Sequence, residues 1–340
     1  MSITLAVDVM GGDFGASVTV PAALKIAAIA PDVSFLLVGD EAAILPFLEK
    51  TPDALRKRMS IVHTSEFVTM DDKVSVALRQ KKRSSMRLAA EAVRDGHAQA
   101  CISAGNTGAL MAVSRFVLKT HPAIDRPAIM TALPTQRGHV HMLDLGANID
   151  SEPAHLLQFA RMGSLVAGAL DGHASPRVAL LNIGEEEIKG NDLIKQTHEL
   201  LRNSGLNYIG YIEGDGVFRG EAEVVVCDGF VGNIALKSSE GVAKMIAAMI
   251  KVQINRNWLT KILGALAYPI WRGLKSQMDP GRYNGASLVG LNGIVIKSHG
   301  SADISSFAHA LEVAMLEVRK DIPGLISRRF SEAESSAASE

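Results

Sequence analysis

The stretch Ser103-Ala104-Gly105-Asn106-Thr107-Gly108-Ala109-Leu110 sets two hydroxyls, two glycines and a carboxamide between an apolar run and a helical pattern. Glycine tolerates dihedrals that turn backbone N–H groups outward. A helix capped by Asn106 or Thr107 adds unpaired N–H groups and the positive end of a dipole. Ser103, Gly105, Asn106, Thr107 and Gly108 together could grip an oxyanion, above all a phosphate. A plain capped turn between strand and helix accounts for the same residues equally well.

The device recurs along the chain. Val7-Asp8-Val9-Met10-Gly11-Gly12-Asp13, Met142-Leu143-Asp144-Leu145-Gly146-Ala147-Asn148, Val178-Ala179-Leu180-Leu181-Asn182-Ile183-Gly184 and Val226-Cys227-Asp228-Gly229-Phe230-Val231-Gly232-Asn233 each end an apolar run on Gly, Asn or Asp. Taken alone, Gly11-Gly12-Asp13 is explained by a tight turn. Several such loops at one sheet edge would form a crevice for phosphate chemistry, with Asp228 and Asn233 at its mouth. No loop carries the three spaced glycines and distant acid of a dinucleotide site or the lysine of a Walker loop, which argues against NAD and ATP.

In Gly184-Glu185-Glu186-Glu187-Ile188-Lys189-Gly190-Asn191-Asp192, one lysine follows three acids. Lys189 can serve phosphate as a mobile point charge; by itself the stretch reads as a solvated charged loop, and its acids have no spacing that fixes a metal. Cys101 and Cys227 lie in apolar runs and read as buried, inert thiols, so neither is expected to carry an acyl group. His139 and His141 alternate on one strand face, but no third metal ligand is evident, so packed or surface histidines are expected. No Ser-His-Asp order or nucleophile elbow stands out.

Strand and helix patterns alternate nearly throughout, with near-continuous apolar strands, which predicts an α/β fold: a mostly parallel sheet covered by helices on both faces. Residues 287–296 read as one strand, and 69–83, rich in Lys73, Arg79, Lys81, Lys82 and Arg83, as a mobile loop or exposed helix. With no clean linker, 1–330 is expected to form one large unit, followed by a disordered tail of Ser, Glu and Ala at 331–340.

The net charge of -1 gives no basic field for nucleic acid, and 47% hydrophobic residues suit a globular protein. Two cysteines indicate a reducing compartment rather than a disulfide scaffold. Ser2-Ile3-Thr4-Leu5 has no leader pattern, and no apolar stretch reaches a membrane span, so a cytoplasmic protein is expected.

One segment qualifies that expectation. Across 245–278, Ile254, Trp258, Leu259, Ile262, Leu263, Leu266, Ile270, Trp271 and Leu274 recur at helical spacing, interleaved with Lys251, Arg256, Lys261, Arg272 and Lys275. Pro269 should kink or split the helix, and a helical hairpin is expected over about 245–280. Both tryptophans of the chain lie here, and a basic face beside an apolar, Trp-bearing face suits an anionic membrane. A packed core or dimer helix pair, or an acidic protein partner met by the same bases, would use the same residues.

Six phrases, in order from the first strand onward, resemble the phosphate acyltransferases of bacterial phospholipid synthesis, the PlsX family: Asp8-Val9-Met10-Gly11-Gly12-Asp13, Ser103 to Ala109, Leu143 to Asn148, Leu181 to Glu186, Lys189 to Asp192 and Asp228 to Asn233. The resemblance implies transfer of a fatty acyl group from acyl carrier protein to inorganic phosphate, giving acyl phosphate for a membrane glycerol-3-phosphate acyltransferase. It implies a fold similar to phosphotransacetylases and isocitrate dehydrogenase-like proteins, a homodimer, no metal or organic cofactor, and peripheral attachment to the membrane's inner face through an amphipathic helical tip. Carried over by residue, it implies catalytic roles for Lys189 and Asn233, with Asp8, Gly11, Gly12, Asp13, Ser103, Gly105, Asn106, Thr107, Gly108, Asn148 and Asp228 around the substrate. Two other classes fit parts of the pattern: a short-chain phosphotransacetylase using coenzyme A, and a non-enzymatic acyl-responsive membrane protein. A dehydrogenase on the related fold would lack its nucleotide signature.

Overall fold

The structure is a computed structural model that describes residues 2–269, 271, 273 and 280–337. Eleven strands form one sheet: β1 (Ile3–Asp8), β2 (Val33–Gly39), β3 (Met59–His63), β4 (Ala100–Ser103), β5 (Ala128–Thr135), β6 (Gly138–Leu143), β7 (Val178–Leu181), β8 (Tyr208–Ile212), β9 (Val224–Val226), β10 (Ala286–Val289) and β11 (Ile294–Lys297). Their order is β3-β2-β1-β4-β11-β10-β5-β6-β9-β7-β8.

Alternate residues of a strand point to opposite faces, and both faces are covered. Leu5, Val7, Phe35 and Ile102 pack with Val20 and Ile26 of the Ala16–Ile29 helix and Phe307 and Leu311 of the Ile304–Lys320 helix. Their neighbours Ala6, Val38 and Cys101 pack instead with Ala89 of the Ser85–Arg94 helix and Leu110 of the Thr107–Leu118 helix. On the other half, Leu143, Leu180 and Val226 pack against Phe159 and Val166 of the Pro153–Asp171 helix.

The sheet is not one parallel run. β3-β2-β1-β4-β11 are mutually parallel, as are β6-β9-β7-β8, but the β11–β10, β10–β5 and β5–β6 pairs are antiparallel. Three reversals leave the two blocks running in opposite directions. The loops expected at one sheet edge therefore form two sets, one after β1, β4 and β11, the other after β6, β7 and β9. Sheet twist of roughly 20–25° per neighbouring strand accumulates to about a right angle between β4 and β6, so the two sets can still face one cleft.

The single strand expected at 287–296 is a hairpin, β10 and β11, because Gly290 adopts φ 94 and turns the chain between them. The basic stretch after residue 69 contains the short Val74–Arg79 helix, and Val74 lies against Gly108. The later helical pattern breaks earlier than Pro269. One helix covers Gly229–Ile254 and a second Trp258–Leu266, because Asn257 accepts from the Thr260 N–H at 2.9 Å while Thr260 Oγ1 accepts from the Asn257 N–H at 3.1 Å. The two helices touch where Gly264 meets Ile254. The final helix, Ile322–Ala337, overlaps the tail expected from Ser331, whose last three positions lie outside the described residues.

Candidate functional site

Asp8 closes β1 in full burial and accepts from Ser85 Oγ and Ser103 Oγ, each at 2.6 Å. Burial pushes its carboxyl above the usual carboxylate range, and the two hydroxyls oppose the rise. Ser103 Oγ in turn accepts from the Gly105 N–H at 3.0 Å. The β1 and β4 loops touch here: a Cβ on Gly11 would lie 2.8 Å from Gly105 N and 2.7 Å from Asp8 Oδ2. Ser103 is thus committed to Asp8 and to its own turn. Its hydroxyl links the end of β1 to the loop after β4.

Asn106 caps the helix after the turn, accepting from the Ala109 N–H at 3.0 Å, and its amide donates to the Met70 carbonyl at 2.7 Å. Among the described residues the Thr107 and Gly108 N–H groups have no acceptor. These amides, at a helix start, are the open donors that an anion needs.

The same loop holds a cation that the sequence reading missed. Lys297 ends β11 in parallel register with Ser103. Its Nζ donates to the Ala104 carbonyl at 3.5 Å and to the Ser298 carbonyl. Burial first, then the charge of Lys237, lowers its pKa to about 8, with Asp13 and Asp8 pulling the other way.

Lys237 belongs to the Gly229–Ile254 helix, where Asn233, Lys237 and Glu240 fall at i, i+4 and i+7 on one face. Asn233 packs on Gly146, whose added Cβ would lie 3.3 Å from the Asn233 Cβ. Lys237 Nζ pairs with Glu240 at 3.2 Å, and Glu240 with His299 Nε2 at 3.2 Å, just past β11. This helix face therefore spans from the loop after β6 to the end of β11 and joins the two loop sets.

Between the sets lies an open cavity of about 640 Å³. Thr107 and Gly108 line one side, Ile129, Gly146 and Ala147 another, and Leu78, Met111 and Ala112 supply apolar surface. Arg115, Phe116 and Lys119 line it too. Arg87 and Lys119 each place their charge 5.2 Å from the exposed Phe116 ring, a basic aromatic cluster beside the cavity.

The remaining expected residues divide. Gly12 and Asp13 follow β1 beside Gly300, and the Asp13 N–H donates to the Gly300 carbonyl at 2.9 Å. Asn148 is buried and donates to Asp144 Oδ2 at 2.8 Å and to the Pro127 carbonyl at 2.9 Å, while Asp144 also accepts from the Ile129, Ala147 and Asn148 N–H groups. This buried knot fixes the loop carrying Gly146 and Ala147. Asp228 accepts from the Phe230 and Val231 N–H groups, so this helix start is satisfied by its own cap and offers no open amide pair.

Lys189 is exposed on the loop after β7. Its contacts are local: its N–H donates to the Glu186 carbonyl, and its side chain lies against Gly184. Like Asn233, Lys237 and Lys297, it is not among the residues lining the cavity. Both thiols are buried, which raises their pKa values and keeps them protonated.

On the later helices, Lys251, Arg256, Trp258, Lys261, Leu263 and Leu266 are exposed, Trp258 at 73% and Leu266 at 74%. Trp271 is partly buried, and Arg272 and Lys275 lie outside the described residues. No helix among the described residues is long and apolar enough to cross a membrane.

Lys297 left a weak trace in the sequence, a lysine closing the apolar run Ile294-Val295-Ile296. Lys237 was findable from Asn233 by helical spacing. Ser85 carried no signal, since only the fold brings it to Asp8.

The family described as fatty acid synthesis protein matches residues 3–324. A phosphate acyltransferase of Alcanivorax borkumensis is 60% identical over 326 residues, covering 96% of each chain. One from Nitrosococcus oceani is 55% identical over 327 residues, again covering 96% of each. Among solved structures, a phosphotransacetylase from Streptococcus pyogenes superposes with a TM-score of 0.62 at 14% identity over 94% of both chains, a likeness of fold.

Proposed function

The chain belongs to the fatty acid synthesis protein family, with phosphate acyltransferases as its relatives, and we propose that it transfers a fatty acyl group from acyl carrier protein to inorganic phosphate. A phosphate oxygen attacks the thioester carbonyl, the carbon–sulfur bond breaks, the carrier's thiol leaves with a proton, and acyl phosphate is released. Phosphate is already nucleophilic at neutral pH, so the protein's task is to hold phosphate and thioester in line.

The observation that carries this reading is the pair of unpaired Thr107 and Gly108 amides on the cavity wall, with the Lys297 ammonium held at the Ala104 carbonyl of the same loop. The amides hold phosphate, Lys297 and Lys237 offset its charge, and Asn233 donates to the oxyanion that develops on the thioester carbonyl. Asp8, Ser85, Ser103, Asp144 and Asn148 keep the loops in place. Lys189, assigned by family resemblance, is the remaining candidate cation for the phosphate and the oxyanion. The apolar lining of Leu78, Met111 and Ile129 suits an acyl chain, and the Arg87–Phe116–Lys119 cluster suits an acidic carrier.

The exposed apolar and basic residues of 251–266 suit attachment to an anionic membrane from the cytoplasmic side, where a glycerol-3-phosphate acyltransferase would consume the product. A homodimer would cover part of the apolar surface on the Gly229–Ile254 helix. The test is to mix protein, palmitoyl carrier protein and phosphate and trap acyl phosphate with hydroxylamine. Hydroxamate that requires all three supports the reading. Efficient reaction with acetyl-CoA but not with the long-chain carrier would point to a short-chain phosphotransacetylase, and acyl binding without hydroxamate to a non-enzymatic role.

A further inference from the structure

The start of β6 meets the end of the Pro153–Asp171 helix at the opposite end of β6 from the Asp144 knot. His139 and His141, at i and i+2, share one face of the strand. The sequence offered them no third partner; the fold supplies Asp171. Asp171 Oδ2 lies 2.7 Å from His141 Nε2 and 3.1 Å from His139 Nε2, and all three ligand atoms fall within 4.8 Å of one another. The two rings stand edge to face at 5.0 Å, so both Nε2 atoms converge on one carboxylate oxygen.

We propose that His139, His141 and Asp171 form a binding site for a divalent transition-metal ion of the zinc type. Two imidazole nitrogens and one carboxylate oxygen are the donors that such ions take, at about 2.0–2.2 Å each. Ligands at those distances around a tetrahedral ion sit roughly 3.3–3.5 Å apart, so the His139–Asp171 spacing of 3.1 Å is close to that of a loaded site and the 2.7 Å His141–Asp171 spacing must open by somewhat more than half an ångström. The side chains of His141 and Asp171 are 8% and 18% exposed, while that of His139, at 38%, leaves an open side where water completes the shell.

The other nearby acid is already used. Glu223 is held by Arg177 through its guanidinium at 2.6 Å and its N–H at 2.6 Å. The His141 N–H donates to the Glu223 carbonyl at 2.8 Å, which fixes the strand carrying both imidazoles. Both imidazoles meet the same carboxylate oxygen. A single dication on two imidazole nitrogens and one carboxylate oxygen satisfies all three side chains. The site clips the β5–β6 hairpin to a helix end. It is structural, and independent of the acyl-transfer reading.

The test uses the full chain, stripped with a chelator and titrated with zinc by calorimetry. Near one equivalent should bind per chain, zinc should raise the melting temperature as a ligand of the folded state does, and His139→Ala/His141→Ala should weaken affinity by more than about tenfold, the lower range for loss of a merely supporting group. Asp171→Asn, which keeps the shape, guards against a folding defect and should weaken binding too. Absence of stoichiometric binding to the wild-type chain, or equal binding by the variants, overturns the site. Hydroxamate formation by the stripped protein should be unchanged, so failure here leaves the proposed reaction standing.

Discussion

Lys297 Nζ lies 3.5 Å from the carbonyl oxygen of Ala104, one residue before the Gly105 turn. The contact joins the end of β11 to the loop after β4, and it holds an ammonium whose pKa is lowered to about 8 against the loop that carries the open Thr107 and Gly108 amides. An ordinary lysine stays charged to about pH 10.4. Lys297 therefore loses its charge two to three pH units earlier, and the affinity for phosphate should fall as pH rises through about 8. In Lys297→Arg, whose guanidinium stays protonated, that alkaline loss should vanish. A profile of kcat/KM for phosphate identical in wild type and Lys297→Arg would show that the group does not titrate in catalysis.

Catalytic roles are proposed for Lys189 and Asn233 on family resemblance, and Asn233 packs on Gly146 of the loop after β6. Lys189→Ala should cut turnover by about 10² or more if it stabilises the oxyanion. Asn233→Ala should do likewise with little change in melting temperature, since its side chain is exposed. Wild-type turnover in a folded Lys189→Ala protein would confine that lysine to its solvated loop.

Gly11→Ala should destabilise the fold. The added methyl would meet Gly105 N at 2.8 Å and buried Asp8 at 2.7 Å, neither a flexible chain end that can move aside. A loss of about 1–3 kcal/mol is expected from such overpacking. Gly241→Ala, in open space within a helix, should instead gain about 0.5–1 kcal/mol. Chemical denaturation of both variants separates steric conflict from the general effect of losing a glycine.

Glu240 is held at a pKa of about 2, chiefly by its hydrogen bond to His299, with Lys237 adding to the effect against opposing burial. Its folded value lies below its unfolded value, so its stabilising contribution is present above about pH 4.5 and lost as pH falls toward 2. Glu240→Gln should be less stable than wild type at neutral pH, and the gap should close over that window. A gap that stays constant down to pH 2 would mean the ion pairs contribute nothing.

Much of this architecture was readable before any coordinates. Apolar runs ending on Gly, Asn and Asp gave the strands and their loops, because buried parallel strands have few other ways to turn into helices. Asn106, Asp228, Asn191 and Asp303 all cap helices as their types suggest. Pairing direction was not readable, since an apolar strand looks alike running up or down, and so one expected crevice edge became two facing loop sets. Long-range neighbours were equally hidden. Nothing local to Ser85 points to Asp8, 77 positions earlier, or local to Asp171 points to His141, 30 positions before it. Lys189 lies in a charged loop that is visible from the sequence, whereas Lys297 ends a strand that otherwise reads as core.

The most direct test of the central claim is the phosphate dependence of acyl phosphate formation, read as hydroxamate from palmitoyl carrier protein, in wild type and Lys297→Met. The wild-type rate should saturate with phosphate, and kcat/KM for phosphate should fall by about 10² in the folded variant. Equal values in the two proteins would contradict an anion site built from the Thr107 and Gly108 amides and the Lys297 ammonium.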